Sequence, residues 1–453
     1  MERSLAKTGP FSMGRCRSCA HKTRTHRHAL RFIVLSGVLC LRSSLFAQTV
    51  EINPTITSTA APLPADDKPS GEGLISGALG EYTLSAQFAF HLSLRGAYDD
   101  NIALTHMNRL GDRFVQIQPS VMFGVGEVAE QGNFFMVNYL PSFYRYDDHA
   151  QFDSNQHIGR LLTGFKTDKW TVRFDQEVAY LQNIVLAASS GEFQSLTSTG
   201  RTNLGLYSSD LSVNYNFTPR DFVFTEALMN RRDYAAPLVS SQVYAGDFYF
   251  NHGFNPQVVL GLGVEGGINN VDFPTPDQSF VQANVHFNYT PNKIFSLDLI
   301  AGEEFRDFED ISPTIRARDT YTTPVFSIGA TFTPNDNTRI TLGASRQIAN
   351  SAALTAQDYT DTSVNAMIRE HACKQLYLAV FGGYEHVKYF NTLQGVNLPT
   401  LSDDYWYVQP SADILITRYW SVGGYYLRRQ NSGSVSTVDF YANEYGVRTT
   451  IKF

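Results

Sequence analysis

"SFVQANVHFNYTPNKIFSLDLIAGEEF", residues 279–305, divides into two alternating runs around a proline-containing turn. In the first run Val281, Ala283, Val285, Phe287 and Tyr289 fall on one face. Phe280, Gln282, Asn284, His286 and Asn288 fall on the other. In the second run Phe295, Leu297, Leu299 and Ala301 alternate with Ser296, Asp298, Ile300 and Gly302. Side chains along a strand point alternately to the two faces of a sheet. The stretch therefore reads as a β-hairpin with one apolar and one wet face. The fold turns on which face meets the interior.

The same alternation recurs from about residue 86 to the C-terminus. "FAFHLSLRGAY" sets Phe88, Phe90, Leu92, Leu94 and Tyr98 against His91, Ser93 and Arg95. "WTVRFDQEVAYLQ" sets Trp170, Val172, Phe174, Val178 and Tyr180 against Arg173, Asp175 and Glu177. "QVVLGLGVEGG" sets Val258, Leu260, Leu262 and Val264 opposite Gly261, Gly263 and Glu265. Eighteen such segments begin near residues 87, 112, 133, 156, 170, 201, 222, 242, 257, 278, 294, 321, 339, 359, 375, 403, 420 and 439. Those near 201, 222 and 339 alternate less clearly, so sixteen strands stay open.

Connections alternate in length. Short ones such as "TDK" (167–169), "TPRD" (218–221), "TPNK" (290–293) and "TPND" (333–336) sit between long ones at 99–111, 183–200, 307–320, 348–358 and 388–402. Proline pre-sets a turn and cannot continue a ladder, so the Thr-Pro pairs at 218, 290 and 333 are expected to end their strands. Short turns at one end and long loops at the other are the layout of a transmembrane β-barrel in an outer membrane.

A soluble sandwich would turn the apolar face inward, whereas a barrel in lipid turns it outward. Three features favour the barrel. The wet face is rich in Gln, Asn, Ser, Thr and Gly with charges spaced out, unlike the charged surface a soluble sheet of this size needs. Aromatic residues gather at strand ends: Phe217, Tyr289, Phe332, Trp170 and Trp420 beside short turns, and Tyr98, Tyr180 and Trp406 beside long loops. The C-terminal "YANEYGVRTTIKF" places Tyr441, Tyr445, Val447, Ile451 and Phe453 on one face. Such an ending resembles the insertion signal of bacterial outer-membrane barrels, carried here by Tyr445, Ile451 and Phe453. The expected fold class is all-β, a transmembrane antiparallel up-and-down β-barrel. At about eighteen strands side chains cannot fill the interior, so an aqueous channel is expected unless loops fold in.

At the N-terminus, Arg15, Arg17, Lys22, Arg24, Arg27 and Arg31 precede the apolar run "FIVLSGVLCL" (32–41), with the small Ala47 shortly after. This pattern reads as a cleaved secretory signal peptide, and the run is too short to span a bilayer. The expected organisation is a signal peptide over 1–47, a flexible periplasmic lead-in over 48–85, and the barrel over 86–453. Removing residues 1–47 leaves 27 basic and 42 acidic side chains, a formal charge of −15, which argues against nucleic acid as a partner. Cys16, Cys19 and Cys40 leave with the signal, so Cys373 stays alone and no disulfide is expected. The 24 Tyr and 32 Phe with only 17% charged residues fit a β-protein in lipid. The expected location is the outer membrane of a Gram-negative-type bacterium. Its lipid and the barrel-assembly machinery are the expected partners; the oligomeric state is open.

"LRGAYDDNIALTHMNRLGDRFVQIQPSVMFGVG" (94–126) resembles the opening of the β-barrel porin type 2 family. The likeness lies in Tyr98-Asp99-Asp100-Asn101-Ile102 at the end of the first strand, Asp112, and Pro119 in the second. It implies a porin-like outer-membrane barrel, and it allows a link to export of surface polysaccharide with partners from such an export system. The loop cluster Asp99, Asp100 and Asn101 reads either as a solvated strand end or as a cation site.

Other chemistry is faint. His91, His157, His252 and His286 lie in strands without a Ser/His/Asp spacing. "GLGVEGG" (261–267) precedes no helix, which argues against phosphate cradling. No metal-ligand spacing survives loss of the signal, and no cofactor or enzymatic activity is expected. The leading function is passage of small hydrophilic solutes or export of polysaccharide. A rim-sited enzyme and a structural or adhesive barrel with an occluded lumen are the alternatives. The expected pore-lining charges are Arg95, Arg173 and Arg306 against Asp175, Glu177, Glu265, Asp298 and Glu304. Their acidic excess predicts a weak cation preference, reduced where Arg173–Asp175 and Glu304–Arg306 cancel.

Overall fold

The computed structural model describes residues 86–126, 132–185, 201–395 and 398–453. The expected signal peptide and lead-in lie outside the described residues. The chain forms β1 (Ala86–Asp99), β2 (Asp112–Gly126), β3 (Phe134–Tyr146), β4 (Ser154–Lys166), β5 (Trp170–Val185) and β6 (Arg201–Asn216). Then come β7 (Asp221–Tyr234), β8 (Ser241–Asn255), β9 (Val258–Val271), β10 (Gln278–Tyr289), β11 (Phe295–Phe308) and β12 (Tyr321–Asn335). The last are β13 (Thr338–Asn350), β14 (Gln357–Cys373), β15 (Leu376–Asn391), β16 (Ser402–Thr417), β17 (Trp420–Gly433) and β18 (Phe440–Lys452). Eighteen is thus the strand count, and the three blurred segments are β6, β7 and β13.

Neighbours in chain order pair antiparallel around the sheet, and β1 closes it by pairing with β18 from His91↔Lys452 to Asp99↔Glu444. Phe90 and Phe453 exchange backbone hydrogen bonds of 3.1 and 2.8 Å at the short-turn end of this seam. Closure removes the free edges that lipid could not satisfy. Because the count is even, the start of β1 and the end of β18 lie at the same end as the short turns.

Local chemistry makes those turns. Thr218 Oγ1 accepts from the Asp221 and Arg220 N–H groups at 2.9 and 3.1 Å. Asn292 Oδ1 accepts from Ile294 and Phe295 at 2.8 and 3.0 Å, and Asn335 does the same for Asn337 and Thr338. These side chains hold the backbone where the ladder stops. β6 and β10 end before their Thr-Pro pairs. β12 instead runs on through Pro334 to Asn335, with a register shift after Phe332 that lets the proline pass without a ladder bond.

Burial is inverted relative to a water-soluble protein. Leu262, Val264, Val281, Leu342, Val364 and Val447 are exposed, while Asn284, His286 and Asp298 on the alternate positions are buried. Seven of the eight aromatic residues expected at strand ends occupy outward positions of the register, and Phe217 is exposed just beyond the end of β6. Gln176 and Ser209 interrupt the apolar exterior but satisfy each other: Ser209 donates to Gln176 Oε1, and Gln176 Nε2 donates to the Ser208 carbonyl at 2.8 Å. Glu303 also faces outward, between Ala301 and Phe305; nothing in the structure explains it. Among the described residues no helix is long and apolar enough to cross a membrane.

The native Cys373 is exposed at the end of β14, beside the short turn to β15. A bulky, membrane-impermeant maleimide should leave it unlabelled on intact cells and label it after permeabilisation. A cysteine at Ser312, in the long β11–β12 connection, should label on intact cells. Reversed labelling would invert the topology.

Candidate functional site

The barrel interior collects the alternate, mostly polar positions of the strands, and the register places all eight of the charges expected there on the inward face. Arg95 points inward from β1 and pairs with Glu444 of β18 at 3.2 Å. Its guanidinium lies 5.0, 5.8 and 5.6 Å from the rings of Phe114, Tyr144 and Tyr425, and the Tyr425 hydroxyl donates to Glu444 Oε1 at 2.6 Å. On β10 and β11, Arg306 Nε donates to Glu304 Oε1 at 2.7 Å and Arg306 Nη1 to Gln278 Oε1 at 2.8 Å. Gln282 adds a 2.9 Å bond to Glu304 Oε2. Asp298 accepts from Asn288 at 2.9 Å and meets His286 at 3.3 Å. Glu265 stands across the ladder from Asp247 and Gln282. Charge-assisted bonds of this kind fix side chains against the wall.

One pairing departs from sequence expectation and a second lies beyond it. Asp175 takes a bidentate pair from Arg160 of β4, at 2.9 and 2.6 Å, not from Arg173 two residues away. The reason is cross-strand reach: Arg160 sits opposite Glu177, one diagonal from Asp175. Arg448 of β18 and Asp413 of β16 form a second bidentate pair, with Arg448 Nε 2.9 Å from Asp413 Oδ1. Glu444 and Arg448 were legible as the alternates of Tyr445 and Val447, but Arg160 was hidden by the inward Ile158 and Leu162 beside it.

The oxygens of Asp99, Asp100 and Asn101 are used within the protein. Asp99 accepts from the Asn101 N–H at 2.8 Å and pairs with Arg429 of β17. Asp100 accepts from the backbone and side chain of Asn443, both at 2.8 Å. Asn101 Nδ2 donates to the carbonyls of Thr105 and Tyr441 at 2.9 and 3.0 Å. The cluster thereby ties the β1–β2 connection to β18 across the closure seam. Among the described residues no group of three or more His, Cys, Asp or Glu could hold a metal ion.

At the long-loop end the interior is not uniformly polar, and connections pack into it. Leu104 of the β1–β2 connection is buried against the inward Tyr405, Phe440 and Ala442. Inward Ile158, Ala179, Leu181, Leu204 and Leu206 form an apolar patch with Leu238 of the β7–β8 connection packed against it. The larger intrusion is the upper β13–β14 hairpin. β12 stops pairing with β13 beyond Phe326↔Arg346, while β13 and β14 stay paired up to Asn350↔Asp358. Freed from β12, this hairpin bends inward. Tyr321, Glu304 and Arg306 of the inner wall become its neighbours, through Thr360 and Asp358. Its tip reaches the inward Asn269 of β9, whose Nδ2 donates to Asn350 Oδ1 at 3.3 Å. The Val239 N–H donates to the Ala352 carbonyl at 2.7 Å, and Ala356 N–H to Thr275 Oγ1 at 3.3 Å. Ser351 has no exposed surface, although it lies in a connection (0%). On the other side Phe390 of β15 stacks on Tyr321 with ring centroids 4.0 Å apart.

Elsewhere the wall is kept flush by glycine. Gly263 and Gly383 face inward beneath the rings of Tyr249 and Tyr407, where any Cβ would overlap the ring. The aromatic side chains therefore lie along the wall and not across the lumen.

No protein-family model matches the chain, and no curated protein matches it. Solved structures similar to it include the outer membrane protein OpdK of Pseudomonas aeruginosa, at 11% identity and TM-score 0.41, covering 81% of this chain and 99% of that one. OpdO of the same organism gives 9% identity and TM-score 0.41, with 81% and 97% covered. A ferric enterobactin receptor variant, PfeA of Pseudomonas aeruginosa, gives 9% and 0.41, with 81% and 80% covered. The closed 18-strand antiparallel barrel rests on the strand pairing described above and not on these likenesses.

Proposed function

We propose that the protein is an outer-membrane channel for small hydrophilic solutes, narrowed at its long-loop end by connections folded into the lumen. The observation that carries this reading is the inversion of burial. An exposed apolar belt surrounds a wall of ion-paired and hydrogen-bonded groups, an arrangement that is stable in lipid around a polar interior. The likeness of residues 94–126 to the β-barrel porin type 2 family supports the same reading, and export of a surface polysaccharide is its narrower form. An export signal over residues 1–47 and the terminal Phe453 fit delivery to the outer membrane by its assembly machinery.

The test is conductance of refolded protein in planar bilayers, after the chain has been shown to fractionate with the outer membrane and to migrate on gels in a heat-modifiable way. Discrete channels with a weak cation preference are expected, because the inward carboxylates outnumber the inward guanidinium groups and low-dielectric walls focus their field. The preference should fade toward 1 M salt, where the Debye length shrinks to about 3 Å. Recovery as a stable periplasmic protein would overturn the membrane reading. Folded barrels without conductance would favour the occluded structural barrel instead.

A further inference from the structure

At the long-loop end of the exterior, five outward aromatic residues line one stretch of the rim: Trp406 on β16, Tyr426 on β17, Tyr441 and Tyr445 on β18, and Tyr98 on β1. The rings of Tyr98 and Tyr445 are 5.5 Å apart. Cations sit on this band. The Arg109 guanidinium lies 3.9 Å from the Tyr441 ring centroid, and Arg428 lies 5.7 Å from the same ring and 5.6 Å from Trp406. Arg428 donates to the neutral Asn443 Oδ1 at 3.0 Å, and among the described residues it has no carboxylate partner. Arg113 stands outward from β2 beside Tyr98 and is likewise exposed without an ion pair among the described residues. Asp100 is 3.7 Å from Arg109 and is already held by both groups of Asn443. The rim thus offers guanidinium groups stacked on aromatic faces at the edge of an apolar belt.

We propose that this rim binds a phosphorylated glycolipid of the outer leaflet, its phosphate on Arg109 and Arg428 and its sugar against Tyr441 and Trp406. The proposal rests on the outer-membrane reading above. Charge complementarity names the phosphate, since a guanidinium fork suits a phosphate in a bidentate way. The aromatic faces name the sugar, because a ring of C–H groups lies well on an aromatic plane. The belt below supplies the surface for acyl chains. Stacking on Tyr441 and Trp406 holds the two guanidinium groups in place before the lipid arrives, which lowers the ordering cost of binding.

The test uses detergent-solubilised, folded barrel and three probes: lipid A, dephosphorylated lipid A and phosphatidylglycerol. Retention is read as adducts by native mass spectrometry, and folding of each variant is read separately by heat-modifiable migration. Lipid A should be retained, and the double substitution Arg109→Gln with Arg428→Gln should weaken that retention by about tenfold or more through loss of two charge-assisted contacts. Arg418→Gln, which removes the cation beside Tyr419 at the opposite rim, should leave retention unchanged. Equal retention by folded wild type and double variant would overturn the proposal. So would equal retention of dephosphorylated lipid A or of phosphatidylglycerol. Either result would leave heat-modifiable migration, and with it the membrane reading, intact.

Discussion

Replacing residues 351–356 with two glycines should raise single-channel conductance by about threefold or more, because an eighteen-strand barrel encloses far more cross-section than its folded-in connections leave open. The tip of the β13–β14 hairpin is held to β9 and to the β7–β8 and β9–β10 connections by Val239–Ala352, Asn269–Asn350 and Thr275–Ala356 contacts. Removing residues 351–356 cuts the first and third of these and leaves the hairpin no anchor beyond Asn350. The strand pairing below Phe326↔Arg346 is untouched, so the barrel itself should fold normally. A complementary variant joins the tip to the wall with cysteines at Val239 and Ala352, in a background where Cys373 is serine. Oxidation should hold conductance at the low level, and reduction should release it. If trimming the tip leaves conductance unchanged, the hairpin lies outside the conducting path.

Leu299→Arg should destabilise the barrel by about 2–4 kcal/mol, the cost of an arginine near the midplane on the lipid face. Ile300→Arg, the next residue, should cost far less, because Ile300 faces inward between His286 and Ser327. The pair is a clean comparison: both wild-type residues are apolar, both lie on β11, and only the direction of the side chain differs. Denaturant titration of folded protein in lipid vesicles measures it. Equal losses at the two positions would mean that β11 has no wet face.

Leu299 and its other neighbour, Asp298, show why so much of the barrel was visible in the amino-acid order. Lipid outside and polar groups inside impose a two-residue period, and Leu299 and Asp298 obey it without any knowledge of their neighbours. Turn residues such as Thr218, Asn292 and Asn335 are equally local, so the strand starts follow within two residues, whereas β5, β13 and β15 run three or four residues into the expected long connections. The site was less legible because its interactions are not local. Arg160 meets Asp175, and Arg95 meets Glu444, through cross-strand registers that a single strand does not reveal. The inward hairpin left only an indirect trace: Ser351-Ala352-Ala353-Leu354-Thr355-Ala356 contains no charge, which is unusual for a connection in water. Its cause, the loss of pairing between β12 and β13 above Phe326, is a property of two strands together.

The seam between β1 and β18 is clasped at both ends, by Phe90 with Phe453 below and by Asp100 and Asn101 with Asn443 and Tyr441 above. The upper clasp joins residues 343 positions apart, so it requires β18 to be present. A barrel without β18 would leave β1 and β17 as raw edges, open to pairing with whatever strand they meet. The clasp thus doubles as a check that the last strand has arrived, because nothing else supplies Tyr441 and Asn443 to the β1–β2 connection.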